Sequence, residues 1–217
     1  MQISSFQANP PKMLFASSAL ELDIDFWLLP GFSRELPLMA DIAKIIASAP
    51  LRHLIVPGGK RMAVAMSNCG PLGWVSDTNG YRYSALDPFN GNPWPAMPKR
   101  FLDLAQSAAL SVGWSGFSPD ACLINQYAPG AGLGLHQDKD ELDHTQPIVS
   151  VSIGEPCKFI LGGLHRKDPV RSVSLQHGDV MVWGGRSRLR FHGVRPLPRR
   201  PELSESYRYN LTFRKAR

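Results

Sequence analysis

His136-Gln137-Asp138 is the sharpest chemical signal in this sequence. In an extended segment, residues two apart project to the same face, so the imidazole and the carboxylate can converge on one ion. A third ligand must come from elsewhere, and His192 in LRFHGV is the best placed. Read as a strand, that segment puts Arg190, His192 and Val194 on one face and Leu189 and Phe191 on the other. Two histidines and one carboxylate make the facial triad of non-haem iron sites, which leaves coordination positions open for a cosubstrate and oxygen. Alone, H-x-D is weak. Such a pair more often sits solvated on a surface, and His53, His144, His165 and His177 show that histidine is not scarce here.

The last strand-like segment, Arg208-Tyr209-Asn210-Leu211-Thr212-Phe213-Arg214, adds to the signal. Strict alternation places Arg208, Asn210, Thr212 and Arg214 on one face and Tyr209, Leu211 and Phe213 on the other. If the apolar face packs into a second layer, two guanidiniums point into the interior, where anionic partners are obligatory. The competing reading is an edge strand whose polar face meets solvent. A dicarboxylate cosubstrate explains the pair better, because the planar fork of arginine engages a carboxylate bidentately. Asn125 and Tyr127 in ACLINQY share one face and can add hydrogen bonds to the same ligand.

These residues need a scaffold, and from residue 121 onward the chain reads as strands: ACLINQY, PIVSVSI, CKFILGG, RSVSLQ, DVMVWG, LRFHGV and YRYNLTFR. Such a series suggests a sandwich, jelly roll or barrel. Upstream, Leu36, Met39, Ile42, Ile45 and Ile46 recur at helical spacing, with Ser33 and Glu35 at a helix start. A second helix is expected at about 98–112, with Phe101, Leu104, Ala105 and Ala108 on one face. Between them, residues 51–100 alternate short apolar runs with PGG, CGPLG, TNG and DPFNGNPWP. This is turn chemistry between short strands, carrying the exposed-looking aromatics Trp74, Tyr81, Tyr83 and Trp94.

Composition bounds the rest. With 217 residues, 43% hydrophobic and 19% charged, the chain suits one globular domain. Cys69, Cys122 and Cys157 are odd in number and form no C-x-x-C pair, so they read as reduced thiols of a cytoplasmic protein. The start MQISSFQANPPK does not read as a signal peptide, and no apolar run has the length to span a bilayer. The net charge is +6, and the segment 186–217 holds ten Lys/Arg against Glu202 and Glu205. That is either a footprint for phosphates or scattered surface arginines, and charge alone favours neither.

In ACLINQYAPGAGLGLHQDKDE, PIVSVSIG, GGLHRKDP, HGDVMVWGGRSRLRFHGV and RYNLTFRKA, taken in this order, the chain resembles the AlkB family of bacterial oxidative dealkylation repair enzymes. The segment VPGGKRMAVAMSNCGPLGWVSDTNGYRYS, with NPWPAMP after it, is similar to that family's nucleotide-recognition lid. The resemblance covers roughly residues 50–216. It implies a mainly β (α+β) fold: a double-stranded β-helix (jelly roll) core with flanking N-terminal helices and a β-rich lid. The parts of this single dioxygenase domain would be an N-terminal extension and helix at about 19–50, the lid at about 51–97 and the catalytic core at about 121–216.

The resemblance also implies roles for residues. His136, Asp138 and His192 would ligate Fe(II). Arg208, helped by Asn125 and Tyr127, would hold the distal carboxylate of 2-oxoglutarate, with Arg214 and Asn210 nearer the metal. Trp74 and the ring of His136 would sandwich the damaged base, and Tyr81 would contact phosphate. Asp140 and Arg166 would sit near the base edge, while Met62 and Met66 would line the lid side of the pocket. Two sets of positions depart from the family's familiar bacterial sequence. Gly132 and Gly134 replace lysine and serine there, and Lys60 and Arg61 replace uncharged lid residues.

The implied activity is oxidative demethylation of 1-methyladenine- and 3-methylcytosine-type lesions in single- or double-stranded DNA, with RNA as a further substrate. It consumes O2 and 2-oxoglutarate and releases succinate, carbon dioxide and formaldehyde. The protein is expected to act as a cytoplasmic monomer with no membrane partner. One rival is the same oxygenase chemistry on tRNA, a protein side chain or a small molecule. Another is a metal-free module that reads alkylated bases, against which the set His136, Asp138, His192, Arg208 and Arg214 argues, since binding alone requires none of them.

Overall fold

Alternating polarity dominates the architecture. Strands with one apolar face stack into two facing sheets, and the longest sheet is apolar enough on its back to bury that face under helices as well. The computed structural model describes residues 19–199 and 206–217. The first eighteen residues, which carry the leader-peptide expectation, and Arg200, Glu202 and Glu205 of the basic segment lie outside them.

Thirteen strands and two α-helices are present among the described residues. A seven-stranded sheet contains β1 (Leu20–Asp23), β2 (Phe26–Leu29), β11 (Val180–Trp183), β8 (Ile148–Gly154), β13 (Arg208–Arg214), β6 (Ala121–Tyr127) and β3 (Ala65–Cys69), in that spatial order. A four-stranded sheet contains β10 (Arg171–Leu175), β9 (Cys157–Leu161), β12 (His192–Val194) and β7 (Leu133–His136). All strand pairs in both sheets are antiparallel. β4 (Gly73–Asp77) and β5 (Gly80–Ser84) form a separate hairpin. Phe26, Met181 and Trp183 of the larger sheet share one core with Phe159, Leu161 and Val194 of the smaller, so the two sheets face each other. This is the jelly-roll arrangement.

The back of the larger sheet is covered by α1 (Leu38–Ser48) and α2 (Lys99–Ser111). Leu38, Ile42 and Ile45 of α1, and Phe101, Leu104, Ala105, Ala108 and Ala109 of α2, pack on Val149, Val151, Val182, Leu211 and Phe213. α2 matches its expected span and face. α1 does not begin at Ser33: Pro37 biases the preceding residue away from the helical region, and the helix starts at Leu38. The Ser33 hydroxyl instead donates to Gly178 O. Met39, expected on the apolar face, is 43% exposed.

Further pairings complete the sheets. Upstream of α1, β1 and β2 form a β-hairpin whose second strand extends the larger sheet against β11. β3, inside the 51–97 segment, pairs along its length with β6, so only β4 and β5 stand apart from the main sheets. Tyr83 and Trp94, which look exposed in the sequence, are buried: Tyr83 clusters with Leu72, Ala121 and Ala216, and Gly73 admits the Trp94 indole, which a Cβ there would enter.

β13 joins these layers. Leu211 and Phe213 enter the helix-covered core, and the Phe213 ring meets Phe101 of α2 edge-on at 6.0 Å between centroids. Truncating Phe213 to alanine should therefore cost about 3–5 kcal/mol. Urea denaturation of the metal-free protein measures it, and a loss under about 1 kcal/mol would place the core elsewhere.

Candidate active site

β7 ends at His136, and its antiparallel partner β12 begins at His192, in direct register. The two imidazoles therefore face one another, with ring centroids 4.4 Å apart. Asp138 follows β7 by two residues and turns its carboxylate between them: Oδ1 is 3.7 Å from His136 Nε2 and Oδ2 is 3.8 Å from His192 Nε2. Among the described residues, these three form the single group of His, Cys, Asp or Glu side chains able to hold a metal ion, with ligand atoms within 4.8 Å of one another. Each histidine has Nδ1 against a carbonyl, Gly134 O at 2.9 Å and Arg190 O at 3.0 Å. As a donor there, Nδ1 leaves Nε2 free as the ligand atom.

Arg190 does not share the inner face with His192. The chain enters β12 only at His192, and Arg190 pairs instead with Asp23 at 2.8 Å and Gly162 O at 2.9 Å.

Charge at this centre is tightly balanced. Burial alone would raise the Asp138 carboxyl, but the Arg214 guanidinium and the two imidazoles more than reverse this and hold it below the usual carboxylate range. Arg214 donates to Asp138 Oδ2 from Nε at 3.0 Å and from Nη2 at 2.7 Å, and no hydrogen bond reaches Oδ1 from the described residues. Burial, reinforced by His136, pushes His192 down to about 4 against the opposite pull of Asp138. At neutral pH His192 is therefore the neutral imidazole that a metal requires.

β13 and β8 supply the far end of the cavity. Arg208 is 1% exposed. Its Nη2 donates to Ser152 Oγ at 3.1 Å, but Nε and Nη1 have no hydrogen-bond partner among the described residues. Asn125 Oδ1 is likewise unpartnered. The guanidinium lies over the Tyr127 ring, 4.9 Å from its centroid, and burial pushes the Tyr127 hydroxyl up to about 12, so it is a neutral donor. Asn210 donates to Ser150 Oγ at 2.8 Å and accepts from Asn125 Nδ2 and Thr212 Oγ1. A buried cation with two idle donors costs stability unless an anion meets it. The donor set at one end and the triad at the other fit a dicarboxylate bridging to a metal.

A cavity of about 550 Å³ joins these groups, and every residue singled out for metal, cosubstrate or substrate in the sequence lines it. At its mouth Trp74 stacks on Tyr81, with centroids 5.5 Å apart and planes 14° from parallel, and donates from Nε1 to Asp140 Oδ2 at 2.8 Å. Arg166 donates to Leu135 O at 2.8 Å and stays exposed. Met66, on β3, is buried, and Met62 is half-buried beside it. Lys60 and Arg61 lie exposed on the turn between Val56 and Met62, two residues that line the cavity.

Of the two departing glycines, only Gly134 is open, with no atom within 4 Å of the point a Cβ would occupy. At Gly132 a Cβ would meet Pro196 N at 2.7 Å and Val194 O at 2.9 Å, so this backbone excludes a side chain. The C-terminal basic run is also less of a surface than its composition suggests, since Arg188, Arg208 and Arg214 are buried. Sequence reasoning missed Arg188 and the buried Glu141 as parts of the site. Nothing local in the sequence marks either one: Glu141 follows Asp140 as an ordinary pair of loop acids does.

The family described as the 2OG-Fe(II) oxygenase superfamily matches residues 25–214, and the chain belongs to it. That membership implies Fe(II), 2-oxoglutarate and O2 as the reacting set. Within the superfamily the chain is similar to AlkB. It is 53% identical over 187 residues to the alpha-ketoglutarate-dependent dioxygenase AlkB of Escherichia coli K12, covering 86% of this chain and 87% of that protein. The Salmonella typhimurium AlkB is 52% identical over 181 residues, covering 82% and 83%. The solved structure named "The structure of OsALKBH1" superposes with a TM-score of 0.77 at 28% identity, covering 91% of this chain and all of that one.

The depressed His192 value has a consequence for stability. Between its ordinary value of 6.5 and about 4, the unfolded chain binds a proton that the folded metal-free protein does not. Stability present above pH 6.5 should therefore fall by on the order of 3 kcal/mol as pH drops towards 4. Urea denaturation across this range, on the metal-free protein and on His192→Asn, reads it. Equal acid slopes in the two proteins would contradict the assignment.

Proposed function

We propose that this protein oxidatively removes N-linked methyl groups from nucleic-acid bases, of the 1-methyladenine and 3-methylcytosine type in DNA, and acts in the cytoplasm. The observation that carries this reading is the buried Arg208 with two idle N–H groups, at the far end of a cavity whose near end holds the His-Asp-His group. The AlkB relatives and an adjoining aromatic pair extend it from oxygenase to nucleic-acid oxygenase.

In this reading His136, Asp138 and His192 hold Fe(II), which with 2-oxoglutarate and O2 supplies oxidative decarboxylation and hydroxylation of a carbon–hydrogen bond. Arg208 meets the distal carboxylate with its unpartnered N–H donors, with Tyr127 and Asn125 beside it, and Asn210 fixes Asn125. Arg214 holds Asp138 Oδ2 so that Oδ1 is the oxygen presented to the metal. Trp74 and the His136 ring sandwich the base, Tyr81 reaches its phosphate, and Asp140 and Arg166 meet its edge. Met62 and Met66 wall the lid side. Once a methyl carbon is hydroxylated, its N–C bond breaks to give formaldehyde and the unmodified base, while 2-oxoglutarate leaves as succinate and carbon dioxide. A base inside a duplex cannot reach the cavity, so it enters flipped or from a single strand. Exposed Lys60 and Arg61 at the mouth are placed to meet phosphates.

Succinate and formaldehyde release, assayed over methylated DNA and RNA oligonucleotides, tests the proposal. Stoichiometric release with a 1-methyladenine or 3-methylcytosine strand is expected, and its absence on every strand would refute the substrate. Arg208→Ala should raise the 2-oxoglutarate requirement by the equivalent of about 3–5 kcal/mol while oligonucleotide binding holds. Trp74→Ala should lose roughly 1–3 kcal/mol of affinity for the methylated strand, with 2-oxoglutarate turnover continuing uncoupled. Neutralising Lys60 and Arg61 together should weaken binding equally with and without the lesion and flatten its salt dependence. An effect confined to the lesion strand would assign them to the base instead.

A further inference from the structure

We propose that Glu141 is a positioning residue for the metal ligand Asp138, held in place by Arg188 and by Tyr83 of the β4–β5 hairpin. This rests on the reading of His136, Asp138 and His192 as the metal site.

The loop that carries Asp138 and Glu141 has no strand or helix ladder; its backbone is tied to the chain after β13 by Leu142 N donating to Ala216 O at 3.1 Å, and side chains hold the rest. Arg188 spans it: Nη1 donates to Asp138 O at 2.6 Å, Nε to Gln146 O at 3.1 Å and Nη2 to Glu141 Oε2 at 3.0 Å. The other Glu141 oxygen, Oε1, accepts from the Tyr83 hydroxyl at 2.5 Å and lies 3.4 Å from Arg214 Nε. Arg214 in turn holds Asp138 Oδ2. Glu141 is thus fixed from two sides and bears on the third group that orients the metal ligand.

Charge requires it as well as geometry. Arg188 and Arg214 bring two buried cations, and Asp138 and Glu141 are the two anions that face them, with side chains 2–8% exposed. Without the Glu141 charge, the Asp138 carboxylate would have to answer both arginines, and Arg214 would lose the partner that keeps its fork square to Oδ2. Glutamine keeps the volume but sets an NH2 donor against either Arg188 Nη2 or Arg214 Nε, neither of which can accept. Removing one partner of a buried pair is more damaging than the pair's own net contribution.

The test titrates the iron-free full chain with Co(II), reading the visible absorption of the bound ion, with neither 2-oxoglutarate nor oligonucleotide present. A substrate-contact role for Glu141 would leave this measurement unchanged. Glu141→Gln should bind Co(II) about 10- to 100-fold more weakly, with shifted bands. Tyr83→Phe, which deletes one hydroxyl, should weaken binding in the same direction by less. Wild-type affinity and spectrum in Glu141→Gln would overturn the proposal. Should that variant not fold, wild-type affinity in Tyr83→Phe would overturn it equally. His136→Ala separates the two levels: if it retains Co(II) affinity, the metal site itself is misassigned. If it loses affinity while Glu141→Gln does not, only the role of Glu141 falls.

Discussion

Everything in the cavity depends on keeping charge inside a closed β sandwich. Isolated ions in such a place are prohibitively costly, so each must be answered by another or by a ligand. Asp138 is answered by Arg214, and Glu141 by Arg188. Of these buried ions, Arg208 is the one left with idle donors among the described residues. The protein thus marks, by what it leaves unsatisfied, where an anion from outside belongs.

The sheets make this arrangement possible because their two faces are assigned different work. On β13 the alternate residues Leu211 and Phe213 tie the strand to α1 and α2, while Arg208, Asn210, Thr212 and Arg214 line the cavity. Rigid backing behind a polar face holds catalytic groups to a fixed geometry better than loops do. The less regular parts, the 137–147 loop and the β4–β5 hairpin, are pinned by side chains: Trp74 to Asp140 and Tyr83 to Glu141. Asp138, the Trp74–Tyr81 pair and the hairpin therefore meet on one short stretch of chain.

Where periodicity governs, the sequence was readable. The two-residue alternation of 208–214 put the arginines on the right face, and the 3.6-residue spacing found α2 and its buried residues. The H-x-D pair was legible because two residues of an extended chain share a side, and the in-register pairing of His136 with His192 completed it. Tertiary pairing leaves no such trace. Nothing local distinguishes Glu141 and Arg188, buried against each other, from solvated charges, and Arg188 stood in a run that looked like surface. The 20–29 hairpin was equally hidden, because a short apolar run fits a strand or a helix until a partner strand is known. Trp94 looked exposed because its burial depends on Gly73, twenty-one residues earlier, leaving room for the indole, and Tyr83 because its partners Ala121 and Ala216 are distant in the chain.

The placement of Arg208 divides labour in a further way. Arg208 shares the cavity with the His-Asp-His group, and under the proposed function the carboxylate it grips is the same group in 2-oxoglutarate and in succinate. An interaction that reactant, transition state and product all enjoy equally raises occupancy without lowering the barrier. Such uniform binding also gives the spent cosubstrate a hold on the site. In that reading turnover discriminates the two acids at the metal end, where only 2-oxoglutarate carries a keto group, and accumulated succinate is a competitor that Arg208 cannot refuse.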